Sequence, residues 1–161
     1  MNNIIPSLKY LWTTIKHKFF VFIIGITLDV SIYRLLKHDI SKLSYKELPH
    51  YGRQFFGDKS QPDKFIKAWI HHQNHNDHHW EFFIPRTGHN RCDPSYPDNT
   101  PVEMPEYCVR EMIADWIGAS RTYEGKWPEL HNWKWYNENF DKVRVHPKTK
   151  NLIINLLKEN L

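Results

Sequence analysis

Histidine is concentrated in one short aromatic tract of this 161-residue chain. Five of the eleven histidines lie between His71 and His79, within the segment AWIHHQNHNDHHWEFF. Because Trp69 and Trp80 flank these histidines, we expect part of the tract to be buried. A buried imidazole is costly unless it has a hydrogen-bond partner or a metal ion. The tract therefore limits the chain to folds that bring such partners to it.

The spacing inside the tract predicts two faces if the helix is continuous. Residues seven apart differ by about 20° around a helix, so His72 and His79 would share one face. A second stripe would comprise His71, His75 and His78. Asn76 and Asp77 would loosen this geometry if they interrupt the helix. We predict that at least one of His72, His78 and His79 is a metal ligand.

Helical periodicity dominates the rest of the chain, and segments with strand-like alternation are missing from the sequence. Pro62, Pro105, Pro128 and Pro147 each stand where a helix is expected to begin. Ser44 and Glu47 have the spacing of a capping box, which predicts a helix start there. The sequence predicts an all-α protein with residues 1–161 in one compact bundle of six or seven helices.

Two segments interrupt this regular pattern. Residues 85–104 are rich in proline and have no periodicity, and they suit a binding loop or lid as well as a plain surface insertion. The apolar run FFVFIIGITL, residues 19–28, is too short to cross a bilayer as a helix. No small-residue cleavage site follows it, so we predict a buried core helix rather than a signal peptide or membrane anchor.

Charge and cysteine content restrict the class of partner. The net charge is +4 with neutral histidines, and the basic residues are scattered rather than clustered. This pattern makes nucleic acid an unlikely partner and gives a weak preference for small anions such as phosphates. Cys92 and Cys108 do not have a metal-ligand or disulfide-framework spacing, which favours ordinary thiols in a reducing, cytoplasmic compartment.

The dipeptide His38-Asp39, followed by Lys42 in HDISK, is the sharpest chemical motif. An imidazole and a carboxylate at one helix end suit Zn, Mn, Fe, Ni or Co. The carboxylate can also bridge two ions, and Lys42 would supply a cation for a substrate phosphate. By itself an HD dipeptide is common, so its weight depends on the residues that accompany it.

His17 and Asp115 are the accompanying residues on other helices. His17 lies at the edge of the apolar helix and, taken alone, fits a histidine satisfied within its helix. Asp115 lies among Ile113, Trp116 and Ile117, where a carboxylate is costly unless paired or metal-bound. The alternative places Asp115 on the polar side of an amphipathic helix. Glu111 lies one turn earlier on the same side. It suits either a carboxylate that supports the metal ligands from outside or a general base.

The order His17, His38-Asp39, His72 or the His78-His79 pair, and Asp115 resembles the HD-domain superfamily of metal-dependent phosphohydrolases. HDISK is similar to the HDxGK signature of HD-type cyclic-dinucleotide phosphodiesterases and related diiron oxygenases, with Ser41 in place of glycine. Four segments together also resemble a small, functionally uncharacterised family of bacteria, phages and large DNA viruses. They are HKFFVFIIG, RLLKHDISKLS, AWIHHQNHNDHHWEFF and EMPEYCVREMIADWIGA.

The superfamily resemblance implies an HD-like bundle and a specific ligand set. One ion would be held by His17, His38, Asp39 and Asp115. A second would be bridged by Asp39 and held by the later histidines, although these are spaced more closely than is usual in binuclear HD enzymes. The sequence leaves open whether one ion or two are bound.

Three functional hypotheses follow. The first is a metal-dependent phosphohydrolase acting on a nucleotide or another small phosphate ester, with Lys42 and Arg53 near the phosphate and Glu111 or a free histidine moving protons. The second is an HD-type diiron oxygenase in which Lys42 holds the substrate. The third is a non-catalytic protein with a structural metal and a partner-binding surface around Trp127, Trp133, Trp135 and Tyr136.

Overall fold

The computed structural model describes residues 4–85 and 99–161, and within these ranges the chain is an all-α bundle. This confirms the predicted bundle of six or seven helices, since these ranges contain seven α-helices and no strand. The helices are α1 (Ile4–Thr27), α2 (Ile32–Lys37), α3 (Leu48–Phe56), α4 (Pro62–His75), α5 (Glu106–Glu124), α6 (Lys134–Asn139) and α7 (Pro147–Asn160).

Helices α1 and α5 form the centre of the bundle, and α3 packs on α1 while α7 packs on α5. A glycine permits the close approach of the central pair. A Cβ atom at Gly118 of α5 would lie 2.6 Å from Val21 Cγ2 and 2.9 Å from the Val21 backbone nitrogen of α1. The two central helices are therefore in near-backbone contact at this position.

The buried apolar residues form two cores. The larger joins α1, α5 and α7 and includes Val21, Ile113 and Leu157, together with Trp133. The smaller consists of Tyr10, Tyr51 and Ala68 and joins α1, α3 and α4. Along α1, His17 lies between Tyr10 of the smaller core and Val21 of the larger one, so it lies where the two cores adjoin.

Three of the four prolines stand at helix starts, as predicted. Pro62 and Pro147 are the first residues of α4 and α7, and Pro105 precedes α5 directly. The prediction for Pro128 is wrong in detail, because it leads into a single 3-10 turn (Leu130–Asn132) before the short α6.

The expectation that residues 19–28 form a buried helix holds for only one face. Val21, Gly25 and Leu28 are buried, whereas Phe19 and Ile26 are more than half exposed. In the described ranges, no helix has the length and apolarity needed to cross a membrane.

The predicted proline-rich loop at 85–104 falls mostly outside the described residues, since 86–98 are not among them. Its C-terminal end returns to the bundle. The Val102 amide donates to the Phe83 carbonyl at 3.0 Å, and the buried Met104 donates its amide to Thr149 Oγ1 at 3.0 Å. The segment therefore ends against α7.

Candidate metal centre

Two successive residues at the end of α2 enter the interior because of an unusual backbone conformation. His38 ends α2, and Asp39 follows with φ of 55°, in the left-handed region that aspartate tolerates better than most residues. Both side chains are buried, and Asp39 has no exposed surface. This turn places the imidazole and the carboxylate side by side.

The first cluster joins this pair to α1 and α5. His17 Nε2 lies 2.8 Å from Asp115 Oδ1, 3.4 Å from Asp39 Oδ2 and 3.4 Å from His38 Nε2. His38 Nε2 lies 3.5 Å from both carboxylates. The structure thus brings together His17, His38, Asp39 and Asp115, the set implied by the family resemblance.

The second cluster uses the other oxygen of Asp39. Asp39 Oδ1 lies 3.3 Å from His72 Nε2 and 3.5 Å from His78 Nε2, and His79 Nε2 lies 2.9 Å from His72 Nε2. All of these ligand atoms lie within 4.8 Å of one another. The two oxygens of Asp39 therefore face two separate groups of potential ligands.

The expectation that His72 and His79 share a continuous helix face is wrong. Helix α4 ends at His75, and Asn76 turns the chain with φ of −131°. The Asn76 side-chain amide caps the helix by donating to the His72 carbonyl at 2.7 Å. His78 and His79 re-enter the site from the turn that follows. His71 and His75 stack on each other at 3.8 Å and belong to neither cluster.

The spacing of the ligand atoms is compatible with a metal ion between them. Ligands at about 2.0–2.1 Å from an ion lie roughly 3.3 Å apart in tetrahedral and 2.9 Å apart in octahedral geometry. The distances above run from 2.8 to 3.5 Å and so span the range of these two values. Asp39 Oδ1 and His78 Nε2 are buried and find no hydrogen-bond partner in the described ranges. Imidazole and carboxylate ligands suit a divalent transition metal, so the two clusters fit such ions.

Carboxylates lie behind the rings and fix their orientation. Glu111 Oε1 lies 2.9 Å from His38 Nδ1 and 3.2 Å from His78 Nδ1, so one carboxylate supports a histidine of each cluster. Glu47 Oε2 lies 3.0 Å from His72 Nδ1. Histidines that bind metals usually donate their second ring N–H to such an acceptor. Two roles were predicted for Glu111, a carboxylate that supports the ligands from outside and a general base. Its position behind His38 and His78 fits the supporting carboxylate.

Two residues that support the site, Glu47 and Arg34, were not predicted as site residues from the sequence. Glu47 immediately precedes α3 and makes no capping bond, so the predicted capping box does not form, and its side chain instead binds His71 and His72. Arg34 Nε donates to Glu111 Oε2 at 2.6 Å and its guanidinium also binds Asp77. In the sequence, a Glu three residues after a Ser indicates a helix cap. Only the tertiary structure shows that the Glu47 carboxylate contacts His71 and His72 instead.

Burial disfavours the charged forms of the site's histidines and carboxylates, whereas neighbouring groups of opposite charge favour them. Burial opposes the charge of His78, but the neighbouring carboxylates of Asp39 and Glu111 raise its pKa to about 10. Burial likewise opposes ionisation of Asp39 and Asp115, yet neighbouring histidines hold the pKa of both carboxyls well below the usual range. Burial, together with the adjacent histidines, lowers the pKa of His79. The carboxylates are thus anionic and available to a cation.

The two basic residues predicted to bind phosphate lie in different places. Lys42 Nζ donates to Asp39 Oδ2 at 2.5 Å and is largely buried, so it adds a positive charge beside the first cluster. Arg53 lies near the end of α3, where it donates to Ser60 Oγ at 3.4 Å. Arg53 does not belong to either cluster.

An aromatic cavity of about 460 Å³ opens beside the clusters and reaches one ligand of each, Asp115 and His79. Its walls are mainly aromatic, with two further carboxylates and no Lys or Arg among its described lining residues. The aromatic wall residues are Trp69, Trp80, Trp116, Trp135 and Tyr123, and the two further carboxylates are Glu81 and Glu124. A second cavity of about 620 Å³ lies against Glu111 and His38, on the side of the supporting residues.

Comparisons with known proteins give one match. Neither a curated protein nor a solved structure matches this chain. The model of one protein family, described as a family of unknown function (DUF5662), matches residues 7–159. This range includes every residue of both clusters and nearly the whole chain. The chain therefore belongs to the DUF5662 family.

Proposed function

We propose that this protein is an HD-type metal-dependent phosphohydrolase that acts on a nucleotide or another small phosphate ester. The observation that carries the proposal is the position of Asp39, whose two carboxylate oxygens face two adjacent ligand clusters beside an aromatic cavity. A carboxylate in this position is suited to bridging two metal ions. Such a pair suits displacement at phosphorus.

Seven residues would hold the ions. His17, His38, Asp39 and Asp115 form one site, and Asp39, His72, His78 and His79 form the other. When bound, the ions would act as Lewis acids and lower the pKa of a coordinated water so that hydroxide is available near neutral pH. Glu111 behind His38 and His78, and Glu47 behind His72, would keep the Nε2 atoms of these three rings directed at the ions.

The charge of the loaded site favours an anion. Two divalent ions outweigh the charges of Asp39 and Asp115, and Lys42 adds another positive charge next to Asp39. The charge of Glu111 is offset by Arg34, which binds it directly. A phosphoryl group would be stabilised at this end of the cavity, where negative charge develops during displacement.

The walls of the cavity indicate what the rest of the substrate is. Trp116 and the neighbouring aromatic residues provide flat surfaces on which a planar ring can stack. Glu81 and Glu124 offer acceptors for the N–H groups of a nucleobase. Since the described walls contain no Lys or Arg, a phosphate would be held by the ions rather than elsewhere in the cavity, with Lys42 adding positive charge from behind Asp39. These features support a nucleotide over a simple phosphate ester.

Metal content of untagged protein purified without chelator tests the site. We expect two transition-metal ions per chain in the wild type and one in both His17→Ala and His72→Ala, because each variant damages one cluster. His75→Ala is the matched control, since His75 lies in the same tract but is exposed and outside both clusters, and it should retain two ions. No ion in the wild type after incubation with excess metal would overturn the proposal.

Phosphate release from nucleoside monophosphates by the metal-loaded protein tests the reaction. We expect turnover that is lost in His17→Ala and His72→Ala and kept in His75→Ala. Loaded protein that releases no phosphate from any nucleotide or small phosphate ester would refute the hydrolase assignment and leave the metal site standing.

An HD-type diiron oxygenase remains the second candidate function because of the position of Lys42 next to Asp39. Lys42 follows Asp39 by three residues and donates to it beside the two clusters, and the resemblance to HDxGK oxygenases implies that this lysine would hold the substrate. Iron as the main bound metal, together with substrate-dependent oxygen consumption, would favour this activity. A purely structural metal would suit a closed site, whereas the cavity here reaches Asp115 and His79.

A further inference from the structure

The outward face of α1 is an apolar stripe. Its large hydrophobic residues are 40–63% exposed over the whole length of the helix. They are Ile4, Ile5, Leu8, Trp12, Ile15, Phe19, Ile23 and Ile26. The opposite face is buried and carries His17. Since the inner face is fixed by packing on α3 and α5, the stripe is a rigid surface.

The stripe is larger than a monomeric protein usually exposes. From the exposed fractions of these side chains, its area is about 900 Å², above the roughly 300–600 Å² of the largest patch on a typical monomer. A standard protein–protein interface buries roughly 800 Å² on each partner. The stripe alone therefore supplies the area that one side of a stable dimer needs.

The spacing of the stripe indicates that a helix covers it. Ile5, Leu8, Trp12, Ile15, Phe19, Phe22 and Ile26 follow each other in alternating steps of three and four residues. This is the repeat of a coiled-coil seam sustained over three heptads. Phe22 is the one member that also packs against the larger core.

We propose that α1 pairs antiparallel with α1 of a second copy of this chain to form a two-fold dimer. In such a dimer the same face serves both subunits, so one stripe is sufficient. Helix α1 contains no acidic residue, and the exposed Asp29 follows its C-terminal end. Antiparallel pairing also places the positive end of each helix dipole beside the negative end of the other.

The mass of the full chain in solution, measured by light scattering at micromolar concentration, tests the dimer. We expect the wild type to have twice the mass of one chain and the double variant Ile15→Lys/Phe19→Lys to have half that mass, because lysines would face lysines at the two-fold axis. The matched control is Ile66→Lys/Ile70→Lys, which charges two exposed apolar residues of α4. This control should remain a dimer.

Further measurements show whether the Ile15→Lys/Phe19→Lys variant is folded and which outcomes contradict the dimer. The circular dichroism spectrum of the Ile15→Lys/Phe19→Lys variant should match that of the wild type, since both residues are exposed. Its thermal unfolding should remain cooperative but at a lower Tm that no longer depends on protein concentration, because the stabilisation by dimerisation is lost. A monomeric wild type would overturn the proposal, and so would a dimer that persists in this variant. A monomeric wild type that binds anionic phospholipid vesicles through the stripe would assign the face to a membrane surface instead.

Discussion

Glu111 illustrates how one residue can serve two ligand clusters without belonging to either. One of its oxygens contacts the Nδ1 atoms of His38 and His78, and the other accepts from Arg34. Each ring thereby directs Nε2 at its own cluster. A residue in this position acts through the histidines, so its contribution should appear in metal affinity before it appears in chemistry.

We expect Glu111→Gln to weaken metal binding by about 10–100-fold, because an amide holds the imidazoles less firmly and lowers their basicity. Competition with a chromophoric chelator measures the change. Glu106→Gln is the control, since Glu106 lies on the exposed side of the same helix and pairs only with Arg110 among the described contacts. Equal affinities in the two variants would show that Glu111 does not orient the ligands.

At the level of elements, the site depends on how closely α1 and α5 approach. His17 and Asp115 come from these two helices, and their ligand atoms lie 2.8 Å apart. Gly118 lies one turn beyond Asp115 and touches the Val21 backbone of α1. Packing in the bundle and ligand geometry in the first cluster are therefore set by the same contact.

We expect Gly118→Ala to destabilise the metal-free protein by about 1–3 kcal/mol, because the new methyl group separates two packed helices. It should also weaken metal binding at the first cluster. Gly52→Ala is the comparison, since its Cβ would meet the Ser7 backbone at 2.7 Å between α3 and α1, away from the ligands. Urea unfolding and chelator competition should show loss of stability in both variants but loss of affinity mainly in Gly118→Ala.

At the level of the whole molecule, the proposed metal binding would be coupled to folding. Asp39, His38, His72 and His78 are buried together where the two cores adjoin, and the ions would satisfy atoms that have no hydrogen-bond partner in the described ranges. A ligand that binds only the folded state stabilises it in proportion to its occupancy. The bundle should consequently be more stable with metal than without it.

We expect metal at a hundredfold excess over its dissociation constant to add about 2.7 kcal/mol per site, which raises the Tm by roughly 5–10 °C for one site in a domain of this size. Calorimetry with metal and with chelator measures the shift. Asp39→Asn should abolish it, because asparagine keeps the left-handed backbone and loses the bridging charge. Asp29→Asn, at an exposed residue with φ of 56°, should keep it. A shift that survives Asp39→Asn would contradict the assignment of Asp39.

The sequence by itself determined the helical class and most of the candidate ligands. Periodicity depends on neighbours three and four residues away, so α1, α5 and α7 could be predicted from local pattern. The pair His38-Asp39 and Asp115 among apolar residues are equally local signals, because a buried charge needs a partner wherever it lies. The resemblance to HD-domain proteins, which no comparison tests, remains a prediction.

Only the tertiary structure decided which histidines face the clusters, which residues support them and which apolar face is left uncovered. The turn at Asn76 returns His78 and His79 to the site and leaves His71 outside, and this depends on contacts with residues far away in the chain. Glu47 has the spacing of a cap, yet it binds His72 because the fold brings α4 beside it. Phe19 and Val21 are equally apolar, and the packing of α1 on α5 alone decides that one is buried and the other exposed.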